Sequence, residues 1–388
     1  LIRKAAIYVV LLFYFAGAAS ASAGQKGEPK VASEGAILMD SQSGTVLYQK
    51  NADKRMNPAS LTKIATAIYA IESGNLDDTV IVSGNAANVE GTRVYLAKGE
   101  KIQLRKLLQG MMVNSGNDAA IAVAEHLDGT VEQFSVNINK YLKEKVGVEN
   151  THFSNPSGLY SVEHYTTARD LGEIVNYAEK NAFFEELFGI KELPWTGAEW
   201  NTVLKSHHKM VLGEIPYQYV TGGKTGFIDE SKQTLATAAD NGRIKMTAVL
   251  LKAETKKEIY EDTITLFDYG FHHFRTSKIE AGTSFKKKNQ MFIADESVFI
   301  TEPLSGAEQK LNGKGILKIK DREGQIVQSV KLEEVLKKGT AAKQITEEKT
   351  KKSSIFNAGN CVAGAVMIGT LYLWMLNRKL RKSRNRLK

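Results

Sequence analysis

The 388-residue sequence predicts an α+β chain: an antiparallel sheet with helices, followed by a small C-terminal β domain and a single transmembrane helix. Three observations carry this expectation. Segments with apolar residues at helical spacing alternate with short β-patterned runs through the first two thirds of the chain. From Thr276 helical periodicity stops and only short alternating segments remain. Ile355 to Leu376 contains no charged residue, and about 20 such residues cross a bilayer as a helix.

The N-terminal stretch has a basic start (Arg3, Lys4), an apolar run from Ala5 to Ala18, and Ala21-Ser22-Ala23. That order matches a secretory signal peptide with cleavage after Ala23. An uncleaved anchor is the competing reading, but the apolar run is short for a span.

Between the ends, Gly35 to Lys50 reads as a hairpin turning at Asp40-Ser-Gln-Ser-Gly44. Pro58 to Glu72 reads as a helix, with Leu61, Ile64, Ala65, Ile68 and Ile71 at helical spacing. Leu104 to Val113 and Asp118 to Leu127 form two more helices, separated by Asn114-Ser-Gly-Asn117. Another begins at Ala168 behind the cap Thr167, with Asp170 three residues on. Strands are expected at Tyr217 to Thr221, Thr234 to Ala239 and Lys245 to Lys252, and a helix from Lys256 to Tyr269. In the β-rich tail the clearest pair is Ile316 to Lys320 and Gln325 to Leu332, around Asp321-Arg-Glu-Gly324. Residues 337–354 are polar and charged, which suits a stalk.

At the C-terminal segment, Tyr372 and Trp374 stand where an interfacial aromatic belt belongs, and Arg378 to Lys388 carries seven basic residues and no acid. The positive-inside bias places that tail in the cytoplasm and everything before the helix outside. An interfacial helix is the alternative, but the only polar breaks are Asn357 and Asn360 near its start. The net charge of +9 has the same origin: nine of the 52 basic residues lie in the two ends, which leaves 43 against 43 acidic ones. A neutral body excludes a nucleic-acid binder, which keeps its basic surface on the folded domain. The single cysteine, Cys361, lies in the apolar segment, so neither an internal disulfide nor a thiolate metal site is available. No histidine has a partner at metal-ligand spacing, and no cofactor is expected.

Three short motifs occur in order: Ser60-Leu-Thr-Lys63, Ser115-Gly-Asn117 and Lys224-Thr-Gly226. Singly they are weak. Ser-x-x-Lys recurs at Ser206 and Ser284, and Ser-Gly-Asn at Ser73 and Ser83; only Lys-Thr-Gly is unique. Position decides between them. Spacing of three puts Ser60 and Lys63 on one face of a helix start. A serine hydroxyl needs a base to become a nucleophile, and Lys63 serves if burial or a second cation such as Lys224 keeps it neutral. Without the other motifs, a capping serine would be the ordinary reading of Ser60. Ser115 can pass a proton to a leaving amine, and Asn117 can bond a substrate amide. The bland reading of that stretch is a break between two helices. Lys224 offers a cation and Thr225 a hydroxyl to a free carboxylate, and Gly226 permits close approach. The backbone N–H groups of Ser60 and Phe227 can form an oxyanion hole.

These motifs, with Pro58-Ala-Ser-Leu-Thr-Lys63, Met112 to Ala120, Asn155-Pro-Ser-Gly-Leu159, His164 to Asp170 and Gly222 to Gly226, resemble the low-molecular-mass penicillin-binding proteins. Those are serine-type D-alanyl-D-alanine carboxypeptidases, and the resemblance covers Val31 to Leu336. It implies a β-lactamase/transpeptidase-like catalytic domain over 24–275 and a small β domain over 276–336. Around them lie the signal peptide (1–23), the stalk (337–354), the membrane helix (355–376) and the basic tail (377–388). It implies a peptidoglycan stem peptide ending in D-Ala-D-Ala, acylation of Ser60, release of D-Ala, and acylation by β-lactam antibiotics. The expected location is the cell membrane, single-pass, with the catalytic domain outside. Many relatives have His at Ser157 and Asp at Tyr160, so that loop receives no role; many carry Arg where Lys256-Lys-Glu-Ile259 stands. Gly222-Gly223 and the tail are most similar to the sporulation-associated branch. A class A β-lactamase shares the motif types but needs neither the second domain nor the membrane helix. A penicillin-binding sensor or scaffold without turnover would be expected to have lost one motif.

Overall fold

The computed structural model describes residues 28–335. The expected signal peptide, stalk, membrane helix and basic tail lie outside the described residues. Among the described residues, no helix is long and apolar enough to cross a membrane.

The first part of the chain runs β1 (Gly35–Asp40), β2 (Val46–Lys50), a 3-10 turn (Ala59–Leu61), α1 (Thr62–Ser73), β3 (Thr79–Ile81), α2 (Gly84–Ala87) and β4 (Lys101–Gln103). Next come α3 (Leu104–Val113), α4 (Asn117–Asp128), α5 (Val131–Tyr141), a π turn (Leu142–Val146), α6 (Ala168–Ala178) and α7 (Ala182–Phe188). The hairpin β5 (Glu192–Thr196) and β6 (Asn201–Lys205) precedes α8 (Lys209–Leu212), β7 (Val220–Ile228), β8 (Lys232–Asp240), β9 (Lys245–Ala253) and α9 (Lys256–His273). Strands β10 (Phe274–Ile279), β11 (Ser284–Lys287), β12 (Gln290–Ile293), β13 (Val298–Pro303), β14 (Glu308–Leu311), β15 (Ile316–Lys320), β16 (Ile326–Lys331) and β17 (Glu333–Glu334) follow.

The centre is a five-stranded sheet in the order β2-β1-β9-β8-β7, antiparallel at each junction. Successive strand residues face opposite sides, and here both sides are covered. Ile37, Met39, Val249 and Leu251 join the core built on α1, α3, α4 and α6. Ala36, Leu38, Ala248 and Leu250 join a second core with Leu266, Phe267 and Phe271 of α9. Each buried Ile, Leu, Val, Met or Phe side chain among these contributes about 1.5–3 kcal/mol. Helix α1 is buried from Thr62 to Ala70, so the amphipathic face expected of it is in fact a helix enclosed on nearly all sides.

Strand β7 is the edge of the sheet, with β8 as its only neighbour there. This corrects one expectation: Tyr217 to Thr221 does not form a separate strand. The strand starts at Val220 and carries the whole Lys224-Thr-Gly226 motif. The expected hairpin, α3 and the Thr167 cap of α6 are all present, the last with Thr167 Oγ1 accepting from Asp170 N.

Contacts divide the chain into two units. One takes residues up to Lys278, with Val298–Gln309 and Lys318–Ser329; it holds the five-stranded sheet and every helix among the described residues. Within it Asp40 is fully buried, and its Oδ2 accepts from the hydroxyls of Thr276 and Thr301 at 2.8 and 2.7 Å. The other takes Ile279–Ser297, Lys310–Leu317 and residues from Val330 on. Its described part contains the small sheet β11-β12-β17, with Phe292 and Leu332 buried.

Candidate active site

Ser60 lies in the 3-10 turn that opens α1, not in a regular first turn of that helix. The difference has a cause. Ala59 is held at φ +49°, a region that costs a non-glycine residue about 1–3 kcal/mol and persists only under firm restraint. The restraint is visible on every side. Ala59 N donates to Asn57 Oδ1 at 2.8 Å, Thr62 Oγ1 donates to the Ala59 carbonyl at 2.9 Å, and Thr234 Oγ1 of β8 donates to the Pro58 carbonyl at 2.9 Å. Thr62 Oγ1 in turn lies 2.8 Å from His164 Nε2. Ser154 N donates to His164 Nδ1 at 3.0 Å, so the ring proton sits on Nε2 and points at Thr62. Burial pushes His164 down to about 3, which keeps it neutral in this relay.

Lys63 is fully buried. Its Nζ lies 3.0 Å from Ser60 Oγ, 2.8 Å from Asn117 Oδ1 and 2.7 Å from the Ser157 carbonyl. Among the described residues no carboxylate bonds it. Asp118, the nearby acid, already accepts from the backbone N–H groups of Val94, Leu96 and Ala119. An unpaired ammonium in such a place costs several kcal/mol. Burial, and then the charge of Lys224, hold Lys63 well below the ordinary lysine range, against the smaller pull of Asp118. A neutral amine has two N–H donors and one lone pair. Asn117 Oδ1 and the Ser157 carbonyl can only accept, so they take the two N–H groups. The lone pair is left for the Ser60 hydroxyl, which is the arrangement a general base requires.

Lys224 is also buried, with Nζ 3.0 Å from Ser115 Oγ and 3.0 Å from the Thr225 carbonyl. Desolvation pushes it down to about 7. Ser115 is held at φ +60° and is nearly buried. The segment between α2 and β4 fixes Asn117 as well: Asn117 N donates to the Thr92 carbonyl at 2.7 Å, and its Nδ2 to the Glu90 carbonyl at 2.8 Å. All three motifs thus converge on one point. A Cβ on Gly226 would meet Ser60 N at 2.9 Å, so β7 lies directly against the peptide of Ser60. Thr225 is half-buried and Phe227 is exposed on the same strand.

The duplicate motifs do ordinary work. Ser83 caps α2 by accepting from Ala86 N, Ser73 ends α1, and Ser206 Oγ accepts from His208 N.

Two contributions were not foreseen. The first is the loop at Ser157, whose carbonyl bonds Lys63. Asn155 Oδ1 shapes it by accepting from Ser157 N at 3.1 Å and Gly158 N at 2.8 Å, and Thr66 Oγ1 pins it by donating to the Pro156 carbonyl at 2.7 Å. The Asn155-Pro-Ser-Gly158 run is a turn signature, but its use of a backbone carbonyl leaves no side-chain signal. The second is His208, buried behind β7. Its Nε2 lies 2.8 Å from Thr237 Oγ1, and a Cβ on Gly223 would strike its ring at 2.4 Å. Among the described residues no cluster could hold a metal ion.

Comparison with known proteins agrees with this geometry. Residues 22–255 match the model of a peptidase family described as D-alanyl-D-alanine carboxypeptidase. The chain is 31% identical over 310 residues to the D-alanyl-D-alanine carboxypeptidase DacF of Bacillus subtilis (strain 168), covering 76% of this chain and 78% of that one. Among solved structures it is similar to penicillin binding protein 5 from Haemophilus influenzae (TM-score 0.70, 25% identity, 80% of this chain and 98% of that chain). It is also similar to a variant of the Streptomyces K15 DD-transpeptidase (TM-score 0.59, 29% identity, 63% of this chain and 99% of that chain). The fold is accordingly of the α+β transpeptidase type.

Proposed function

This chain belongs to the D-alanyl-D-alanine carboxypeptidase family, and on that premise we infer that Ser60 is its acylating nucleophile and Lys63 the base that activates it. The chain is a serine-type hydrolase that removes the terminal D-alanine from peptidoglycan stem peptides and is acylated by penicillin. The observation that carries the residue roles is the 3.0 Å approach of a fully buried, carboxylate-free Lys63 Nζ to Ser60 Oγ.

In that reading the free C-terminal carboxylate of the substrate meets Lys224 and Thr225, and the peptide extends along the open edge of β7. Asn117 bonds the substrate amide. Ser60 Oγ attacks the carbonyl carbon of the penultimate D-Ala as its proton passes to Lys63. The resulting oxyanion is met by the N–H groups of Ser60 and Phe227. The proton that Lys63 took up passes through Ser115, which lies beside Lys224, to the leaving nitrogen, so D-alanine departs and Lys63 is neutral again. Water, deprotonated by Lys63, then hydrolyses the ester and restores Ser60.

The location follows as part of the same proposal. Peptidoglycan lies outside the cell membrane, so the enzyme would be exported by its N-terminal segment and anchored by 355–376. Gly222-Gly223 and the tail support placement in the sporulation-associated branch.

The test compares the full chain with Ser60→Ala. Each is incubated with a stem-peptide mimic ending in D-Ala-D-Ala, then with fluorescent penicillin. Release of D-alanine and covalent labelling should both vanish in the variant. Labelling without release from the unaltered chain would point to a sensor instead.

A further inference from the structure

We propose that Tyr95, Trp200 and Arg93 form a glycan subsite beside the catalytic cleft, holding an N-acetylated hexosamine ring of the strand that carries the stem peptide. The proposal rests on the carboxypeptidase reading above and deepens it.

The Tyr95 ring meets both partners. Its centroid lies 5.0 Å from that of Trp200, edge to face at 78°, and the Arg93 guanidinium stands over it at 5.1 Å. Tyr95 is 48% exposed and Trp200 is half-buried. Single exposed apolar residues need no explanation, but Tyr95 is held outward against its own backbone preference. It sits at φ +57°, where a bulky residue is an outlier. The cause is Asp118, which accepts from Val94 N at 3.0 Å and from Leu96 N at 3.1 Å. Val94 and Leu96 are buried on either side, and the ring between them is left in solvent. Strain of this kind collects at ligand sites.

The same restraints tie the cluster to the reacting groups. Asp118 follows Asn117 in α4, Asn117 N donates to the Thr92 carbonyl at 2.7 Å, and Asn114 Nδ2 donates to the Arg93 carbonyl at 2.9 Å. Glu100 fixes the other half. Its Oε2 accepts from Ala97 N at 2.9 Å and its Oε1 from Ala198 N at 3.2 Å, which joins the Tyr95 segment to the β5–β6 turn that carries Trp200. Consecutive Cα atoms are about 3.8 Å apart, so Tyr95 lies within about 11 Å of Thr92. In a pentapeptide stem three residues separate D-Ala-D-Ala from the glycan, and extended they span about 10 Å. A stem held at Asn117 can therefore bring its sugar to this cluster.

The chemistry selects a sugar. An N-acetylhexosamine has an apolar C–H face and a polar rim. The C–H face suits the negative face of an aromatic ring, and a few polar groups fix the orientation of such a ligand. Among the described residues no acid pairs with Arg93, whose hydrogen bond to the Ala87 carbonyl is long at 3.4 Å. Its other N–H donors can meet the acetamido or lactyl oxygens of the ring.

The experiment uses the full chain, acylated beforehand with penicillin so that the Ser60 cleft is filled. A peptide-free tetrasaccharide of alternating N-acetylglucosamine and N-acetylmuramic acid is titrated in and followed by calorimetry. Saturable binding is expected. Tyr95→Asn and Arg93→Gln should each weaken it, the first on the order of tenfold, the scale of one lost aromatic contact. Asparagine tolerates left-handed backbone, so this variant loses the ring and keeps the turn. No saturable binding to the unaltered chain, or binding that both variants retain in full, overturns the subsite. The probe contains no D-Ala-D-Ala, so these outcomes are independent of turnover. A chain that penicillin does not label and that releases no D-alanine counts instead against the carboxypeptidase reading, while the same titration still decides the subsite.

Discussion

Gly158 and Ala59 are packed so closely that a Cβ on Gly158 would fall 1.8 Å from the Ala59 carbonyl oxygen. Gly158 also sits at φ +85°, where side chains are disfavoured. The loop that supplies a carbonyl to Lys63 and the turn that presents Ser60 are thus locked together by the absence of one methyl group. Gly158→Ala should displace one against the other. A shift of about 1 Å in reacting groups costs on the order of 100-fold in rate. We expect the penicillin acylation rate to fall by at least that much, with a lowered Tm. Normal acylation by Gly158→Ala would show that the turn tolerates the shift.

Asn155 acts at one remove, through the Ser157 carbonyl. Asn155→Ala removes the acceptor for Ser157 N and Gly158 N. The bond from Ser157 Oγ and the bond from Asn155 Nδ2 to the Leu159 carbonyl go with them, so stability should fall by about 2–4 kcal/mol, at about 1 kcal/mol for each bond lost. The rate of Ser60 acylation should fall by about tenfold or more while KM for the peptide changes little, because the carboxylate contacts at Lys224 are untouched. A change confined to KM would contradict this role.

The two lysines set the pH profile. Lys63 must be neutral to accept the Ser60 proton, and it is held well below the ordinary lysine range. Lys224 must stay charged to hold the carboxylate, and it is pushed down to about 7. The kcat/KM profile should therefore be bell-shaped, with an alkaline limb near pH 7. Bound carboxylate favours the ammonium form of Lys224, so the alkaline limb of kcat should lie higher. A single limb rising toward the ordinary lysine range would show that Lys63 is not neutralised in the folded enzyme.

Glu179 bears on stability rather than catalysis. It is buried at the C-terminal cap of α6, its Oε2 has no hydrogen-bond partner among the described residues, and Lys245 Nζ stands 3.8 Å from its Oε1. Burial raises its carboxyl from 4.5 to about 7. A raised acid binds its proton in the folded state where the unfolded chain releases it. Its favourable contribution is complete below about pH 4.5 and is lost as the pH rises through about 7. Glu179→Gln removes that titration. From about pH 4 to about pH 8 the unaltered chain should lose about 3 kcal/mol more stability than the variant. Parallel denaturation curves at every pH would mean that Glu179 does not titrate in this window.

The sequence by itself determined the chemistry and most of the helices. Ser60, Lys63, Ser115, Asn117 and Lys224 could be named because each is a side chain with a characteristic partner at fixed spacing or in fixed order. The hairpin, α3 and the α6 cap were legible because local periodicity and capping are short-range signals. What only the tertiary structure decided is how those groups are poised. The lowered proton affinity of Lys63 depends on its enclosure and on Lys224, which lies 161 positions away in the chain. The role of the Ser157 carbonyl was invisible because every residue has a carbonyl; only folding singles one out. The left-handed backbone at Ala59 and Ser115 was equally hidden, since neither residue favours it. Long-range packing imposes that strain, and such packing has no local signature in the sequence.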